Sequence, residues 1–333
     1  LGMKSDDGCR VYVDGKKVID AWTEHSVQMD EAMIKLEAGK TYKLQVEYFD
    51  NGGDCFAGLY WKAPSAGSQN VLARFGDAGK VAAECDVTVA VLGINKSIER
   101  EGQDRFSLEL PVDQQEFIKE LYKVNPNTVV VLVAGSSMAV NWMDENVPAI
   151  LNAWYPGEQG GNAVAEVLFG DYNPGGRLPL TYYNSLDEIP AFDNYSVKGR
   201  TYQYFEGQPL YEFGYGLSYT KFRYKSKGVN VEQDTVKVSF EVSNTGKYDG
   251  DEVAQVYVKY PETGTYMPLK QLHGFKRVHI KKGKTSKVTI GVPKKDLRYW
   301  DEQERKFVTP KGEYTFMVGA SSEDIKFRET VGL

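Results

Sequence analysis

Two glutamates stand two residues apart in the segment Ile98-Glu99-Arg100-Glu101-Gly102-Gln103-Asp104-Arg105, with an arginine between them and Asp-Arg behind them. That set of residue types suits the holding of a proton donor. A carboxylic acid can protonate a leaving oxygen, and the carboxylate left behind can activate water. Cleavage of a glycosidic bond by two carboxylates needs a protonated acid and a second carboxylate as nucleophile or base, roughly 5–5.5 Å away when configuration is retained. Glu99 and Glu101 do not plausibly supply both. Residues i and i+2 share a face only in an extended strand. On one short loop both would approach a substrate from the same side. One of them could be the acid, with its counterpart elsewhere; the segment alone fits a solvated charged loop equally well.

Other chemistries find less support. The three histidines, His25, His273 and His279, lie in strand-like regions with no motif around them. Ser136-Ser137 lacks the G-x-S-x-G elbow of a serine hydrolase. Gly157, Gly160 and Gly161 do not have the spacing of a dinucleotide or phosphate loop. Cys9, Cys55 and Cys85 are not spaced as metal ligands. The pattern calls for no cofactor and no metal, with Asp6 and Asp7 as weak metal candidates.

The elements that must position the acidic segment are legible around it. The apolar runs Val87–Leu92 and Thr128–Ala134 read as buried parallel strands, with Ala149–Ala153 as a candidate third. The acidic segment follows the first run, at the end where open α/β sheets place their ligands. Helices are expected over Gly79–Glu84, over Asp113–Val124 with Phe117, Ile118 and Leu121 on one face, and over Gln159–Phe169. Pro111 opens the second. The third carries small residues at Gly160, Gly161, Ala163 and Ala165 for close approach to a sheet, and Asn173-Pro174-Gly175-Gly176 is expected to stop it.

The flanks read as all-β. Before the α/β region come Arg10–Val13, an Asp14-Gly15 turn, Lys17–Trp22, Thr41–Tyr48 and Ala57–Trp61, then linker composition over 63–70. After it, Val236–Val242, Val253–Tyr260, Ser286–Val292 and Tyr314–Ala320 suggest an immunoglobulin-like sandwich. The expected class is multidomain α/β plus all-β: a partial β-sandwich (1–64), an α/β sandwich with a mostly parallel sheet (65–227) and a C-terminal immunoglobulin-like β-sandwich (228–333). Trp22, Phe56 and Trp61 are expected in a sandwich core rather than at a sugar-stacking edge. Cys85 is expected to be at least partly buried, and Cys9 and Cys55 could pair or stay free.

The chain has 333 residues, enough for two or three cores. A net charge of −6 without blocks of like charge gives no sign of nucleic-acid binding, and no apolar run approaches a membrane span. Leu1-Gly2-Met3 leads straight into strand sequence, as in a piece of a longer or processed chain, and only three parallel strands are visible.

Four strings carry a resemblance: Glu101-Gly102-Gln103-Asp104-Arg105, then Ala153-Trp154-Tyr155-Pro156-Gly157-Glu158-Gln159-Gly160-Gly161, then Asn173-Pro174-Gly175-Gly176-Arg177-Leu178-Pro179-Leu180-Thr181, and Tyr211-Glu212-Phe213-Gly214-Tyr215-Gly216-Leu217-Ser218-Tyr219-Thr220. In this order they resemble the C-terminal α/β domain of glycoside hydrolase family 3, in its β-xylosidase and β-glucosidase branch. Residues 228–333 resemble the fibronectin type III-like domain that follows in many members. Residues 1–64, with Ser5-Asp6-Asp7-Gly8 and Tyr12-Val13-Asp14-Gly15, resemble the second half of a protective-antigen type β-sandwich. The resemblance implies a retaining, exo-acting β-glycosidase of plant-type oligosaccharides, β-xylosidase favoured over β-glucosidase. It implies Glu101 as general acid/base, with Glu99 as fallback, and Asp104 and Arg105 as loop supports. It also implies a nucleophilic aspartate on a preceding (β/α)₈ barrel that this chain does not contain, and a periplasmic or extracellular setting. Without that barrel, the same modules also fit a non-catalytic glycan-binding or scaffolding protein.

Overall fold

The computed structural model describes residues 1–37, 39–52, 55–61 and 75–333. The linker expected over 63–70 lies outside them. The Cα framework divides into two compact units, Leu1–Asp77 with Arg100–Asp104, and Ala78–Glu99 with Arg105–Leu333.

The first unit holds β1 (Gly2–Asp6), β2 (Cys9–Val13), β3 (Lys16–Ala21), β4 (Gln28–Glu31), β5 (Leu44–Tyr48) and β6 (Phe56–Tyr60). They form two antiparallel three-stranded sheets, β4-β1-β6 and β3-β2-β5. Asp14 and Gly15 both take positive φ, +49° and +78°, as the tight turn between β2 and β3 requires. The core is small: Met3, Cys9, Val11 and Ile19. Trp22, Phe56 and Trp61 are exposed at 38%, 37% and 74%, which corrects their assignment to it. Four modest side chains fill the centre of these short sheets, and the large rings stay on the rim. The Trp22 ring meets Phe49 edge-on and lies under the Arg10 guanidinium. Cys9, Cys55 and Cys85 are all free, with Cys9 buried and Cys55 exposed.

The second unit begins with α1 (Ala78–Glu84), β7 (Thr88–Gly93), α2 (Val112–Val124), β8 (Thr128–Val133), α3 (Asn141–Asn146), β9 (Ile150–Asn152), α4 (Gly160–Phe169) and α5 (Thr201–Tyr204). Strands β7, β8 and β9 pair in parallel, with Thr88 opposite Thr128 and Val130 opposite Ile150. Cys85 is exposed rather than buried, because it sits on the loop between α1 and β7, ahead of the strand. Its carbonyl and that of Ala82 accept bonds from the buried Asn125 amide, which joins the ends of α1 and α2. Ile118 and Leu121 bury the inner face of α2. Helix α4 stops at Gly170 (φ +83°), ahead of the Asn-Pro-Gly-Gly string expected to stop it, because a left-handed glycine ends the ladder there. Of its small residues Gly160 is buried against Pro156, while Gly161 and Ala163 are exposed.

The chain then forms β10 (Phe222–Val231), β11 (Thr235–Asn244), β12 (Gly250–Lys259), β13 (Gln271–Ile280), β14 (Thr285–Pro293), β15 (Tyr299–Asp301), β16 (Lys306–Val308), β17 (Glu313–Gly319) and β18 (Ile325–Gly332). Sheets β10-β11-β14 and β13-β12-β17-β18 enclose a core around Phe240, Val256, Tyr260, Tyr314 and Phe316, and β15-β16 form a separate hairpin. Tyr314, at the start of β17, donates its hydroxyl to the carbonyl of Pro310 at 2.6 Å. This is the tyrosine corner of immunoglobulin-like sandwiches.

Buried tyrosines make this unit sensitive to alkali. Burial pushes the Tyr182 and Tyr314 hydroxyls up to about 12, and it raises those of Tyr211, Tyr224, Tyr257 and Tyr260 as well. An unfolded chain ionises its tyrosines near the ordinary value of 10.0, so above that pH the unfolded state sheds protons that the folded state keeps. The stabilisation is complete below pH 10 and falls as pH rises, by about 1.4 kcal/mol per pH unit for each such group. In a spectrophotometric titration the buried set is expected to stay silent above pH 10 and then ionise in one step with loss of the fold. Smooth ionisation of all tyrosines near pH 10 with the fold intact contradicts it.

Candidate functional site

The site-bearing loops leave the carboxyl ends of β7, β8 and β9. Gly93 ends β7 at φ +156°, and a Cβ there would stand 1.7 Å from the Val133 carbonyl oxygen. Glycine is required by this close approach. Its own backbone groups are taken up by the Gln114 amide of α2, which accepts from the Gly93 N–H and donates to its carbonyl, each at 2.8 Å. Ile94 N–H reaches Val133 O at 3.0 Å, and the Tyr155 hydroxyl reaches Ile94 O at 3.2 Å. Tyr155 also packs on Gly135, where a Cβ would lie 2.4 Å from its ring. Three successive strand-end loops are thus fastened to one another.

Within the second unit, Glu99 and Arg105 meet. Arg105 Nε lies 2.8 Å from Glu99 Oε2, and their side chains are 10% and 20% exposed. The same guanidinium donates to the Ser137 carbonyl at 2.7 Å and to that of Leu108 at 3.4 Å, and it lies 3.0 Å from Met138 Sδ. Ser136 Oγ donates to Glu99 Oε2 at 2.6 Å. Glu99 therefore has one carboxylate oxygen occupied by both a guanidinium and a hydroxyl. Asp104, expected beside Arg105 as a second support, is exposed and stands outside this set.

The intervening residues form a tight turn. Arg100 N–H donates to Gln103 O and Gln103 N–H to Arg100 O, both at 3.0 Å. Gly102 has φ +75°, the third position of a type II turn, where a side chain is disfavoured. Glu101 is the second residue, exposed at the apex. The order Glu-Gly-x-x-Arg has a physical reading: the glutamate is displayed, the glycine permits the turn, and the arginine secures the chain as it leaves.

Sequence reasoning passed over Ser136 and Ser137, judged only as potential nucleophiles. The signal that could have found them is the parallel register. The loop after β8 must lie beside the loop after β7, so its first polar residues are natural partners for Glu99 and Arg105.

Asp6 and Asp7 lie in the first unit and are buried. Asp7 Oδ1 accepts from His25 N–H at 3.0 Å and Oδ2 from Asn51 N–H at 2.7 Å, bracing two loops. The Phe49 ring rests on Gly8, where a Cβ would lie 2.2 Å from a ring carbon. Among the described residues no three His, Cys, Asp or Glu side chains converge as a metal site requires. No helix among them is long and apolar enough to cross a membrane.

The family strings mostly join the α/β portion to the sandwich. Arg177 Nη2 lies 2.8 Å from Glu252 Oε2, and these side chains are 9% and 3% exposed. Tyr224 OH donates to the other Glu252 oxygen at 2.6 Å. Asn173 Oδ1 accepts from Ser218 and from the Tyr219 N–H, while its amide donates to Asp249 O. Glu212 accepts from Ser321, and Gln255 donates to the carbonyls of Gly214 and Ala320.

Comparison with known proteins accords with this construction. Residues 16–219 match the glycosyl hydrolase family 3 C-terminal domain, and residues 252–322 match the fibronectin type III-like domain. The chain is 43% identical over 225 residues to a xylan 1,4-beta-xylosidase of Xylanibacter ruminicola, covering 67% of this chain and 26% of that protein. It is 33% identical over 293 residues to a periplasmic beta-glucosidase of Salmonella typhimurium, covering 83% and 38%. The crystal structure of a beta-glucosidase from Kluyveromyces marxianus superposes with a TM-score of 0.73 at 31% identity, covering all of this chain and 42% of that one. The chain thus spans between a quarter and about two fifths of the length of these relatives. With its family match running across more than half its length, and with an α/β portion joined to an all-β sandwich, the chain belongs to glycoside hydrolase family 3 as a C-terminal portion of that architecture.

Proposed function

We propose that this chain forms the C-terminal portion of a retaining, exo-acting β-glycosidase that removes terminal β-linked xylose or glucose from plant-type oligosaccharides, with Glu101 as its general acid/base. The observation that carries the assignment is the display of Glu101 at the apex of a closed turn, while Glu99 is taken up by Arg105 and Ser136. In the first step Glu101 gives its proton to the glycosidic oxygen as the C–O bond breaks, and an aspartate attacks the anomeric carbon. In the second, the Glu101 carboxylate takes a proton from water as that water attacks the anomeric carbon and releases the aspartate. The aspartate belongs to a (β/α)₈ barrel preceding this chain. Strand β7 is compatible with further covering sequence: among the described residues it is an edge strand, and Val87, Val89 and Val91 beside and along it are exposed at 56%, 45% and 66%.

The 43% identity to a xylan 1,4-beta-xylosidase favours xylose. The periplasmic relative supports a periplasmic or extracellular setting. The domain division at 64 and 227 belongs to the same reading, and the two antiparallel sheets of the first unit support a protective-antigen type module before the α/β domain.

The test is hydrolysis of xylobiose, cellobiose and their aryl analogues by the complete polypeptide, with the first-formed anomer followed by NMR. Early β-anomer is expected. Early α-anomer overturns retention, and glycan binding without turnover favours the non-catalytic reading.

A further inference from the structure

We infer that the outward face of sheet β10-β11-β14 is a docking surface for an acidic polysaccharide, a glycan chain that bears uronic-acid carboxylates. The choice of a glycan as the polyanion rests on the proposed glycosidase function; the charge of the face does not. The strands of this sheet alternate. Val236, Val238, Phe240 and Val242 of β11 and Val288, Ile290 and Val292 of β14 are buried, and Phe222 and Tyr224 of β10 pack against that core. The residues between them therefore point outward. In register, Arg223 lies opposite Ser243, and Lys225 lies opposite Glu241, which in turn lies opposite Lys287. Lys237 shares this face, and Lys227, in the bulge of β10, reaches Glu241 Oε2 at 3.1 Å. Five cations thus share the face with one carboxylate, on a chain whose net charge is −6. Glu241 is occupied by Lys227, and Lys237 by Glu232 at 2.8 Å. Arg223, Lys225 and Lys287 make no ion pair among the described residues.

Protection of sheet edges accounts for cations on β10 and β14, the outer strands, but not for Lys237 on the middle one. A face that needs only solvation mixes both signs, and here one sign prevails. At strand spacing, a carboxylate-bearing chain laid along β10 meets a cation about every 7 Å. Between the cations lie two hydroxyl pairs, Ser239 with Thr289 at 3.0 Å and Ser243 with Thr285 at 2.7 Å. Each keeps capacity for a further bond to a sugar hydroxyl. No outward position of Arg223–Lys225, Lys237–Ser243 or Thr285–Thr289 holds an aromatic ring that could stack a base or enter a membrane interface. The bonds joining the α/β portion to the sandwich run through β12, β13 and loops. Among the described residues no outward side chain of β10, β11 or β14 takes part in them.

The test is binding of the chain itself to immobilised 4-O-methylglucuronoxylan and to neutral arabinoxylan. The first should bind and the second should not. Affinity should fall at least about tenfold as salt rises from about 50 to about 200 mM. The triple variant Arg223→Gln, Lys225→Gln, Lys287→Gln should weaken it by about tenfold, the worth of three exposed ion pairs. Lys259→Gln, Lys295→Gln, Lys311→Gln removes the same charge from exposed positions off this face and should change it little. Equal binding of arabinoxylan, indifference to salt, or equal weakening by both triple variants overturns the surface. The salt series on the unaltered chain decides even if a variant fails to fold. Duplex DNA or anionic phospholipid vesicles that bind as tightly at equal charge overturn the glycan as its ligand. In the complete polypeptide the Arg223, Lys225 and Lys287 triple variant should leave xylobiose turnover unchanged. Absence of that turnover in the unaltered polypeptide refutes the glycosidase function, whereas the surface falls only by the binding measurements, so the two failures are told apart.

Discussion

Glu101→Gln is expected to lower kcat/KM for xylobiose by about 10²–10⁴-fold, the usual worth of a positioned general acid. Loss should depend on the leaving group. A sugar departing from xylobiose needs a proton, and the amide of Gln has none to give. A nitrophenolate departs unaided, so the first step on an activated aryl glycoside should be nearly normal. The second step still needs a base to take a proton from water, so the glycosyl-enzyme accumulates and a burst of nitrophenolate precedes a slow steady state. Azide needs no deprotonation, and it should restore turnover with a β-glycosyl azide as product. The alkaline limb of the pH profile should disappear, because it reports loss of the acid's proton. Glu101 is exposed on a turn whose backbone bonds do not involve its side chain, so the substitution should leave folding unchanged. A variant with normal rates on xylobiose removes Glu101 from the mechanism.

Much of this arrangement was written into local sequence. The apolar runs on either side of the acidic segment became parallel strands because runs rich in β-branched residues suit a parallel sheet. The turn at Glu101-Gly102 has its positive φ, +75°, on the glycine, the residue that tolerates it. What local reading could not supply was partnership. Glu99 and Glu101 are equivalent in composition, and spacing alone does not say which is occupied. The answer depends on Ser136, 37 residues away, and on the other bonds of Arg105. The large aromatics of the first unit failed for a related reason. A ring at the edge of a short sheet can face the core or the rim, and the Arg10 guanidinium over Trp22 and the Lys4 ammonium over Phe56 are contacts not visible in the sequence.

The family strings gain a physical explanation from the same contacts. Asn173–Thr181 and Tyr211–Thr220 run beside each other, with Leu178 N–H on Tyr215 O at 2.8 Å and Gly214 N–H on Leu178 O at 2.7 Å. Gly216 is glycine because a Cβ there would stand 2.2 Å from the Gly176 carbonyl oxygen. Gly214 at φ +83° leaves room for the Gln255 amide. These strings resemble a motif of catalysis in their regularity, yet their groups face the sandwich. They fix the α/β portion on a rigid support.

The strongest energetic test of that joint is Arg177→Met, expected to destabilise the second unit by about 3–5 kcal/mol. Glu252 is 3% exposed, and the substitution leaves it buried without its cation, its remaining partner being the Tyr224 hydroxyl. Glu252→Leu should cost about as much, because it strands the Arg177 guanidinium, whose Nε already lacks a partner among the described residues. The two losses should not add. Arg177→Met with Glu252→Leu and Tyr224→Phe removes every charge and hydroxyl of the set together, and a buried ionic group replaced by apolar residues of similar volume is often neutral or stabilising. The triple variant should therefore recover most of the loss, giving a coupling of several kcal/mol in a mutant cycle read from urea unfolding of the second unit. Additive losses would mean that the pair is not coupled, and that Arg177 holds the sandwich through its bond to the Gly176 carbonyl and its packing alone.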